Sequence, residues 1–352
     1  MKMRYAATVA VAALIMLSGC STVGGGGAAT TTAPTTPGEA TSSVLQPQDM
    51  TMVTVVKIMG IPWFDRMAVG VQEFAQRTGV DAREDGGDDA TPEKQVAIIQ
   101  NLIAQHPTAI TVVPNDPASL ETVLKQARDA GIIVVSHEAA GLTNTDIDIE
   151  AFDNTKYGAD IMDSLATCMG GSGGYVTMVG HLTATTHMQW SDGALAEAQA
   201  KYPNIKRLED PVESNEDENV AYQKAKELLA KYPDIKGFQG SAGTDVLGIA
   251  RAVEEAGKAG QVCVMGTGTP QASAKYLKDG SLQKIFFWDP AGAGQAQLQI
   301  AMMLAQGQTI TTGTDLGIDG YHSLLQSTQY PNVFTGDAEA TADATNVDTW
   351  TF

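Results

Sequence analysis

The chain has 352 residues, with 22 basic residues against 41 acidic ones and a formal net charge of −19. Such acidity argues against nucleic acid or an anionic lipid surface as a partner, because both require basic patches. The length after the N-terminal segments, about 300 residues, exceeds what one core usually supports and favours two lobes.

The first twenty residues have the pattern of an export signal. Lys2 and Arg4 form a basic head, residues 6–17 are uncharged and apolar, and a small-residue stretch ends at Cys20. The apolar run is too short to span a bilayer.

The Gly-Cys ending of this segment resembles the bacterial lipobox, which implies that Cys20 is acylated and becomes the first mature residue. The alternative is an ordinary signal peptide with a chance cysteine. We predict an exported protein, periplasmic or at the cell surface, with lipid on Cys20.

Residues 21–49 are rich in Gly, Ala, Thr, Pro and Ser and show no apolar period. This composition predicts a flexible tether that connects the lipid anchor to a folded body. No later apolar run reaches membrane-spanning length.

Apolar strands alternate with helices along the rest of the chain. The predicted strands are 53–59, 80–84, 109–113, 132–136, 146–152, 175–179, 205–208, 237–239, 262–266 and 282–287. The predicted helices are 63–77, one opening at Thr91 as N-cap, 118–130, 155–169, 189–201, 219–231, 245–256, 271–277 and 291–306. Strands that are apolar throughout, each followed by a helix, indicate parallel sheets covered on both faces. The predicted fold class is α/β, with two doubly wound parallel-sheet lobes joined by a hinge.

The pattern restarts after about residue 150, which places the boundary between the lobes. We assign residues 50–150 plus 286–318 to the N-terminal lobe and residues 151–285 plus 319–352 to the C-terminal lobe. Ligands of open α/β sheets bind outside the carboxyl ends of the strands, so the residues after each strand are the site candidates.

Aromatic and carboxylate side chains occur together at two strand exits, which suits a neutral polyhydroxylated ligand: rings pack on C–H faces and carboxylates accept from hydroxyls. The candidate ligand-binding residues are Lys57, Trp63, Phe64, Asn115, Asp116, His137, Glu138, Thr186, His187, Ala242, Trp288 and Asp289. Five of them have a structural alternative. Trp63 and Phe64 suit the core at a helix start, Lys57 suits a buried salt bridge, and Asn115 with Asp116 suits a turn.

Cys168 and Cys263 fall in a predicted helix and a predicted strand. An exported chain can oxidise such a pair, but the two lack CxxC spacing, and we expect two buried thiols. The five histidines are scattered without ligand spacing, so we predict no metal site and no cofactor.

Five segments of the body share the pattern of one known family: Lys57–Phe64, Gln95–Ile103, Val113–Pro117, Asp153–Asn154 and Phe287–Pro290. On these segments the chain, from about residue 52 to 352, resembles the type 1 periplasmic sugar-binding proteins of ABC importers. Within that family it is most similar to the rhamnose-binding and autoinducer-2-binding branch, whose pattern Lys57, Trp288 and Asp289 match.

Other positions depart from the autoinducer-2 receptors. His137-Glu138 replaces their Trp-Asp pair, Thr186-His187 replaces Asp-Gln, and Ser241-Ala242-Gly243 replaces Pro-Asp-Ala. The resemblance therefore implies a receptor, expected to be a monomer, that closes on a monosaccharide, deoxysugar or polyol and delivers it to a membrane permease.

The alternatives are an autoinducer-2 receptor, a receptor that feeds a sensor, and an exported carbohydrate-active enzyme. The enzyme would need a carboxylate pair, for which Glu138 and Asp289 are the candidates. The sequence has no His-Glu-x-x-His, and Gly170–Gly174, which spells Gly-x-Ser-x-Gly, precedes a predicted strand and does not open a helix. We therefore predict no catalytic residues.

Overall fold

Strands and helices alternate in the computed structural model, which describes residues 44–352. The predicted signal segment, Cys20 and residues 21–43 of the predicted tether lie outside the described residues. Pro47–Asp49 form a short 3-10 helix and Met50 is buried, so the folded body starts within the segment predicted as tether.

The elements follow the chain in a regular order. The strands are β1 (Thr51–Val56), β2 (Asp81–Gly86), β3 (Ala109–Val112), β4 (Ile133–His137), β5 (Ile147–Glu150), β6 (Gly173–Val179), β7 (Ile205–Arg207), β8 (Val212–Glu213), β9 (Gly237–Gly240), β10 (Cys263–Thr267), β11 (Lys284–Phe287), β12 (Leu325–Gln326), β13 (Val333–Thr335) and β14 (Ala340–Ala342). The helices are α1 (Pro62–Thr78), α2 (Pro92–Gln105), α3 (Pro117–Asp129), α4 (Asn154–Cys168), α5 (Thr185–Lys201), α6 (Glu218–Lys231), α7 (Asp245–Glu255), α8 (Pro270–Asp279) and α9 (Pro290–Ala305).

Two sheets repeat the same topology. The first has the order β12-β13-β5-β4-β3-β1-β2, and the second has β14-β11-β10-β9-β6-β7, with β8 also on β6. All neighbours are parallel except the edge strands β12 and β14. In the first sheet β1 lies between β2 and β3, and in the second sheet β6 lies between β7 and β9. The strand order reverses at β1 and β6 and opens a crevice for ligands there. The predicted α/β fold with two doubly wound lobes is confirmed.

Both faces of the first sheet are covered, which explains its continuously apolar strands. Met52, with Phe74 of α1 and Leu298 of α9, belongs to the apolar cluster on one face. Val53, with Leu102 of α2, belongs to the cluster on the other face. Neighbouring residues of a strand point to opposite faces, so a strand between two helical layers needs apolar residues at every position.

Three segments cross between the lobes. They lie between β5 and α4, between β11 and α9, and between β13 and β14. The prediction that residues 319–352 all belong to the C-terminal lobe is wrong for β12 and β13, which extend the first sheet. The boundary at residue 286 also moves, because β11 belongs to the second sheet. Strands of two or three residues carry no apolar run that a sequence pattern can reveal.

The expectation of two buried thiols is also wrong. Cys168, at the end of α4, and Cys263, at the start of β10, form a disulfide with Cα atoms 6.1 Å apart. The partners are 95 residues apart in sequence, and only the packing of α4 against β10 brings them together.

Two local features differ from the sequence prediction. Helix α5 begins at Thr185, four residues before the predicted start. Ala184, the residue before the helix, provides no side-chain cap, so the sequence carries no signal for a helix start at this point. Thr91 precedes α2 as predicted, but its hydroxyl donates to Asp89 Oδ1 at 2.7 Å and does not cap the helix. Within residues 44–352, no helix is both long enough and apolar enough to span a membrane.

Candidate functional site

A cavity of about 20 Å³ lies between the two lobes, where residues that follow strands of both sheets meet. Its lining combines four large aromatic rings with a small number of charged and hydroxyl groups. The twelve lining residues are Lys57, Ile61, Trp63, Phe64, Glu138, His187, Trp190, Glu216, Ser241, Gly243, Thr267 and Trp288. This volume is about that of one water molecule, so a sugar-sized ligand enters only when the two lobes move apart.

Lys57 occupies the centre of the charged part of the cavity. It follows β1, and its side chain is 4 % exposed. Its ammonium donates to Glu138 Oε2 at 2.7 Å and lies 3.5 Å from Glu216 Oε1 of the other lobe. Burial alone would lower the pKa of Lys57, but the two carboxylates more than offset it and raise that pKa above its ordinary value. Lys57 is therefore a fixed cation that bridges both lobes.

Both glutamates have left-handed backbone conformations. Glu138 has φ 58° and Glu216 has φ 57°, and both side chains are buried. A non-glycine residue held in this region costs about 1–3 kcal/mol and persists only where the surroundings enforce it. Such strain concentrates at ligand clamps, so the backbone makes these two loops candidates for contact with a ligand.

His187, near the start of α5, completes the polar group. Its Nε2 lies 3.4 Å from Lys57 Nζ, and its Nδ1 accepts from the Gly180 N–H at 3.2 Å. Burial, then Lys57, then His181 lower the pKa of His187 well below its usual value. The ring is neutral at pH 7, so it adds no charge to the cavity.

The aromatic side chains come from both lobes and from a crossover. Trp63 of α1 meets Trp288 edge to face, with ring centroids 4.6 Å apart. Trp288 follows β11, and its Nε1 is buried without a hydrogen-bond partner among the described residues. Trp190 of α5 donates from Nε1 to Asn154 Oδ1 at 2.8 Å. The rings supply apolar surface, and Trp288 retains a free donor for a ligand.

The family of the chain follows from a match that covers most of the body. Residues 52–309 match the model of the periplasmic binding protein domain. The chain belongs to this family. Its two lobes and the cavity between them are the features that the match covers.

Several similar proteins are named for the small sugars and polyols that they bind. The D-ribose/D-allose-binding protein of Pseudomonas aeruginosa is 29 % identical over 231 residues, which is 63 % of this chain and 70 % of that protein. The xylitol-binding protein of Mycolicibacterium smegmatis is 28 % identical over 220 residues, 62 % of each chain.

Solved structures share the fold. LsrB from Clostridium saccharobutylicum in complex with AI-2 superposes with a TM-score of 0.79 at 20 % identity, over 86 % of this chain and all of that one. An ABC transporter solute-binding protein from Clostridium phytofermentas with bound L-rhamnose also gives 0.79, at 22 % identity, over 86 % of this chain and 98 % of that one. At identities of 20–22 %, the similarity shows a shared fold alone.

Six of the twelve predicted site residues line the cavity of this binding protein. They are Lys57, Trp63, Phe64, Glu138, His187 and Trp288. The two structural alternatives for this part of the site also hold, because Trp63 and Phe64 are buried in the core and Lys57 forms a buried salt bridge.

Asn115 and Asp116 have supporting roles. Asn115 is buried, and its Nδ2 donates to the Lys57 carbonyl at 3.1 Å, which fixes the backbone where the lysine leaves β1. Asp116 caps α3 by accepting from Ser119 N at 3.2 Å. The turn alternative therefore describes Asp116, and neither residue lines the cavity.

His137, Thr186 and Ala242 are buried next to lining residues but are not themselves part of the lining. His137 Nδ1 contacts the Ile149 carbonyl at 2.5 Å, behind Glu138. The Ala242 N–H donates to Asp245 at 2.8 Å. Burial raises the pKa of Asp245 to about 7 despite its hydrogen bonds from Ser214 and from the backbone N–H groups of Ala242 and Ser241.

Asp289 does not line the cavity, in contrast to its predicted role as a hydroxyl acceptor. Its two oxygens accept from Arg66 Nε at 2.8 Å and Nη2 at 2.6 Å, and Oδ1 also accepts from Ala291 N at 2.9 Å as the cap of α9. The pair Glu138–Asp289, on which the alternative enzyme hypothesis depends, is therefore not assembled around the cavity.

Substitution of Asp289 tests this reassignment. We expect Asp289→Ala to reduce the free energy of unfolding by about 1–2 kcal/mol, because it removes a helix cap and a partly exposed ion pair. Asp116→Ala, a matched cap without the arginine, should cost about 1 kcal/mol. Ligand affinity, measured by calorimetry, should be the same in both variants as in the wild type. A selective loss of affinity in Asp289→Ala would restore its predicted binding role.

Six lining residues were not among the predicted set: Ile61, Trp190, Glu216, Ser241, Gly243 and Thr267. Ser241 and Gly243 flank the predicted Ala242, and Trp190 follows the predicted His187 by one helical turn. These three residues therefore lie within one helical turn of a residue that the sequence did indicate. Glu216 gave no signal, because Ser-Asn-Glu-Asp before a helix has the composition of an ordinary turn. Within the described part of the chain, no group of three or more His, Cys, Asp and Glu residues is arranged to hold a metal ion.

Proposed function

We propose that the protein is the extracytoplasmic receptor of an ABC importer and captures a small neutral sugar or polyol between its lobes. The observation that carries the proposal is the interlobe cavity, where fixed carboxylates and an ammonium lie among four aromatic rings. The relatives are named for binding ribose, allose and xylitol, which supports the same ligand class.

Each group in the cavity has a role in this proposal. Glu138 and Glu216 accept from ligand hydroxyls, while Lys57 and the free Trp288 Nε1 donate to ligand oxygens. Trp63, Phe64 and Trp190 pack against C–H faces. Closure excludes water from these contacts and brings together surfaces of both lobes for a membrane permease. The proposal includes no catalytic step.

The location and assembly of the protein are part of the same proposal. The export signal and the Gly-Cys ending support lipid attachment at Cys20, on a tether that precedes the folded body. A receptor of this kind acts outside the cytoplasmic membrane as a monomer and binds no nucleic acid, which agrees with its charge of −19.

A calorimetric ligand panel tests the proposal. We would titrate the protein with D-ribose, D-allose, xylitol, L-rhamnose, L-arabinose and autoinducer-2, and follow thermal unfolding in parallel. A ligand that binds only the folded state must raise the melting temperature. Binding of one or more neutral sugars or polyols supports the importer receptor. Binding of autoinducer-2 alone would assign the signal instead, and no binding across the panel would reject the proposed ligand class.

A further inference from the structure

Glu216 brings a carboxylate from the second lobe to an ammonium of the first. Its side chain is 4 % exposed, and Oε1 lies 3.5 Å from Lys57 Nζ. The loop that carries it is held by two backbone hydrogen bonds, from Asn215 N to Gly180 O at 2.8 Å and from Asp217 N to Ser214 O at 3.1 Å. The carboxylate is therefore placed by the second lobe before any ligand arrives.

Glu216 mirrors Glu138 across the cavity. Among the described non-glycine residues, four have positive φ angles, and three of these are Glu138, Asn215 and Glu216. Two strained loops, one from each lobe, thus deliver a carboxylate to the same lysine. Glu138 already accepts a hydrogen bond from the Lys57 ammonium at 2.7 Å, so its negative charge is paired with the lysine.

The carboxylate of Glu216 lies near Lys57 but, within the described part of the chain, lacks a hydrogen-bond donor on Oε1. Glu216 Oε1 is buried and has no hydrogen-bond partner among the described residues, since Lys57 Nζ at 3.5 Å and His187 Nδ1 at 3.9 Å are both beyond a good bond. A methyl group at Gly180 would lie 2.4 Å from this oxygen, so the glycine makes room for it. A buried acceptor left without a donor is costly, and a ligand hydroxyl would satisfy it.

The charges in the closed cavity add up to one net negative charge. Two carboxylates face one ammonium, and His187 is neutral because its pKa is far below 7. A ligand carboxylate or phosphate would place a further like charge within a few ångströms of Glu216, away from water, where repulsion is strong. A neutral ligand rich in hydroxyls adds no charge and can donate to the Glu216 oxygen that lacks a donor among residues 44–352.

We propose that Glu216 is a specificity-determining residue, which accepts a hydroxyl of the neutral ligand and excludes sugar acids and sugar phosphates. This inference rests on the proposed function and defines its substrate class by charge. It concerns selectivity between ligands of the same carbon skeleton, which the match to the family does not address.

The test compares three neutral ligands with their carboxylate counterparts by calorimetry: D-ribose with D-ribonate, xylitol with xylonate, and L-rhamnose with L-rhamnonate. For the wild type, we expect the anion to bind about a hundredfold more weakly than its neutral partner. Glu216→Gln keeps the shape but removes the charge. It should weaken the neutral ligand about tenfold and narrow the neutral-to-anion ratio by about tenfold.

Two further variants separate selectivity from folding. Glu216→Asp keeps the charge on a shorter side chain, so it should lose affinity for the neutral ligand but still reject the anion. Glu213→Gln changes a half-exposed acid at the end of β8, outside the cavity lining, and should leave both affinities unchanged. Thermal unfolding of each variant confirms that it is folded.

The outcomes distinguish this inference from the proposed function. If the wild type binds a neutral ligand and Glu216→Gln leaves the neutral-to-anion ratio unchanged, the role of Glu216 is overturned while the receptor function stands. The same conclusion follows if the wild type binds an anion as tightly as its neutral partner. If the wild type binds none of the neutral sugars and polyols of this test or of the full ligand panel, both proposals fail.

Discussion

Replacing Lys57 with methionine is expected to reduce the free energy of unfolding by about 3–5 kcal/mol and to abolish ligand binding. Methionine retains most of the side-chain volume but removes the ammonium. Glu138 and Glu216 would then be two buried like charges without a counter-ion, and both backbones would still have to adopt a left-handed conformation. Removing one partner of a buried ion pair is far more costly than the pair is worth in stability.

Chemical denaturation at pH 7 and calorimetry with the best neutral ligand measure the two effects. Lys94→Met is a matched control, because Lys94 also pairs with two carboxylates, Asp88 and Asp89, but at the surface. Exposed pairs contribute little, so this variant should unfold close to the wild type. If Lys57→Met were as stable as Lys94→Met, the three-charge arrangement in the cavity would not exist in solution.

Loss of the disulfide should produce the second large effect. The bond between Cys168 and Cys263 closes a long loop of the second lobe, because the two partners are separated by 95 positions in sequence. A cross-link of this span limits the unfolded ensemble, and its removal typically costs about 2–5 kcal/mol. We therefore expect the double variant Cys168→Ser, Cys263→Ser to unfold at a markedly lower denaturant concentration than the oxidised protein.

A reductant provides the matched comparison for that variant. It should lower the stability of the wild type to that of the double-serine variant and leave the variant itself unchanged. Thiol titration of the unfolded, unreduced chain should detect no more than one thiol, that of Cys20. Detection of three thiols, or equal stability with and without reductant, would show that Cys168 and Cys263 remain unpaired, as the sequence pattern first suggested.

Much of the fold could be predicted from the sequence because its signals are local. The uniformly apolar strands arise from sheets covered on both faces, and glycine or proline ends most elements. The arrangement of residues 319–352 could not be predicted, since β12, β13 and β14 have only two or three residues each. Their place depends on which sheet has an open edge, which is a property of the assembled lobes.

The site could be predicted where a charged residue of the cavity comes directly after a strand. Lys57 and Glu138 come immediately after β1 and β4, and the topology brings such residues to one edge. Asp289 also follows a strand, but it caps the next helix and binds Arg66. The same residue type at the same position serves either purpose, and only the neighbouring Arg66 decides. Glu216 lies in a loop of turn composition, so its role emerges only from the contact with Lys57.

The position of the tryptophans has a practical consequence for studies of this protein. Of the four in the chain, Trp63, Trp190 and Trp288 line the cavity, whereas Trp350 packs against Phe287 and Phe352. Intrinsic ultraviolet emission of the native chain is therefore dominated by indoles that a ligand would touch or that lobe opening would expose to water. Occupancy and closure can be followed in real time by stopped-flow fluorescence without any label, and Trp350 supplies a constant background.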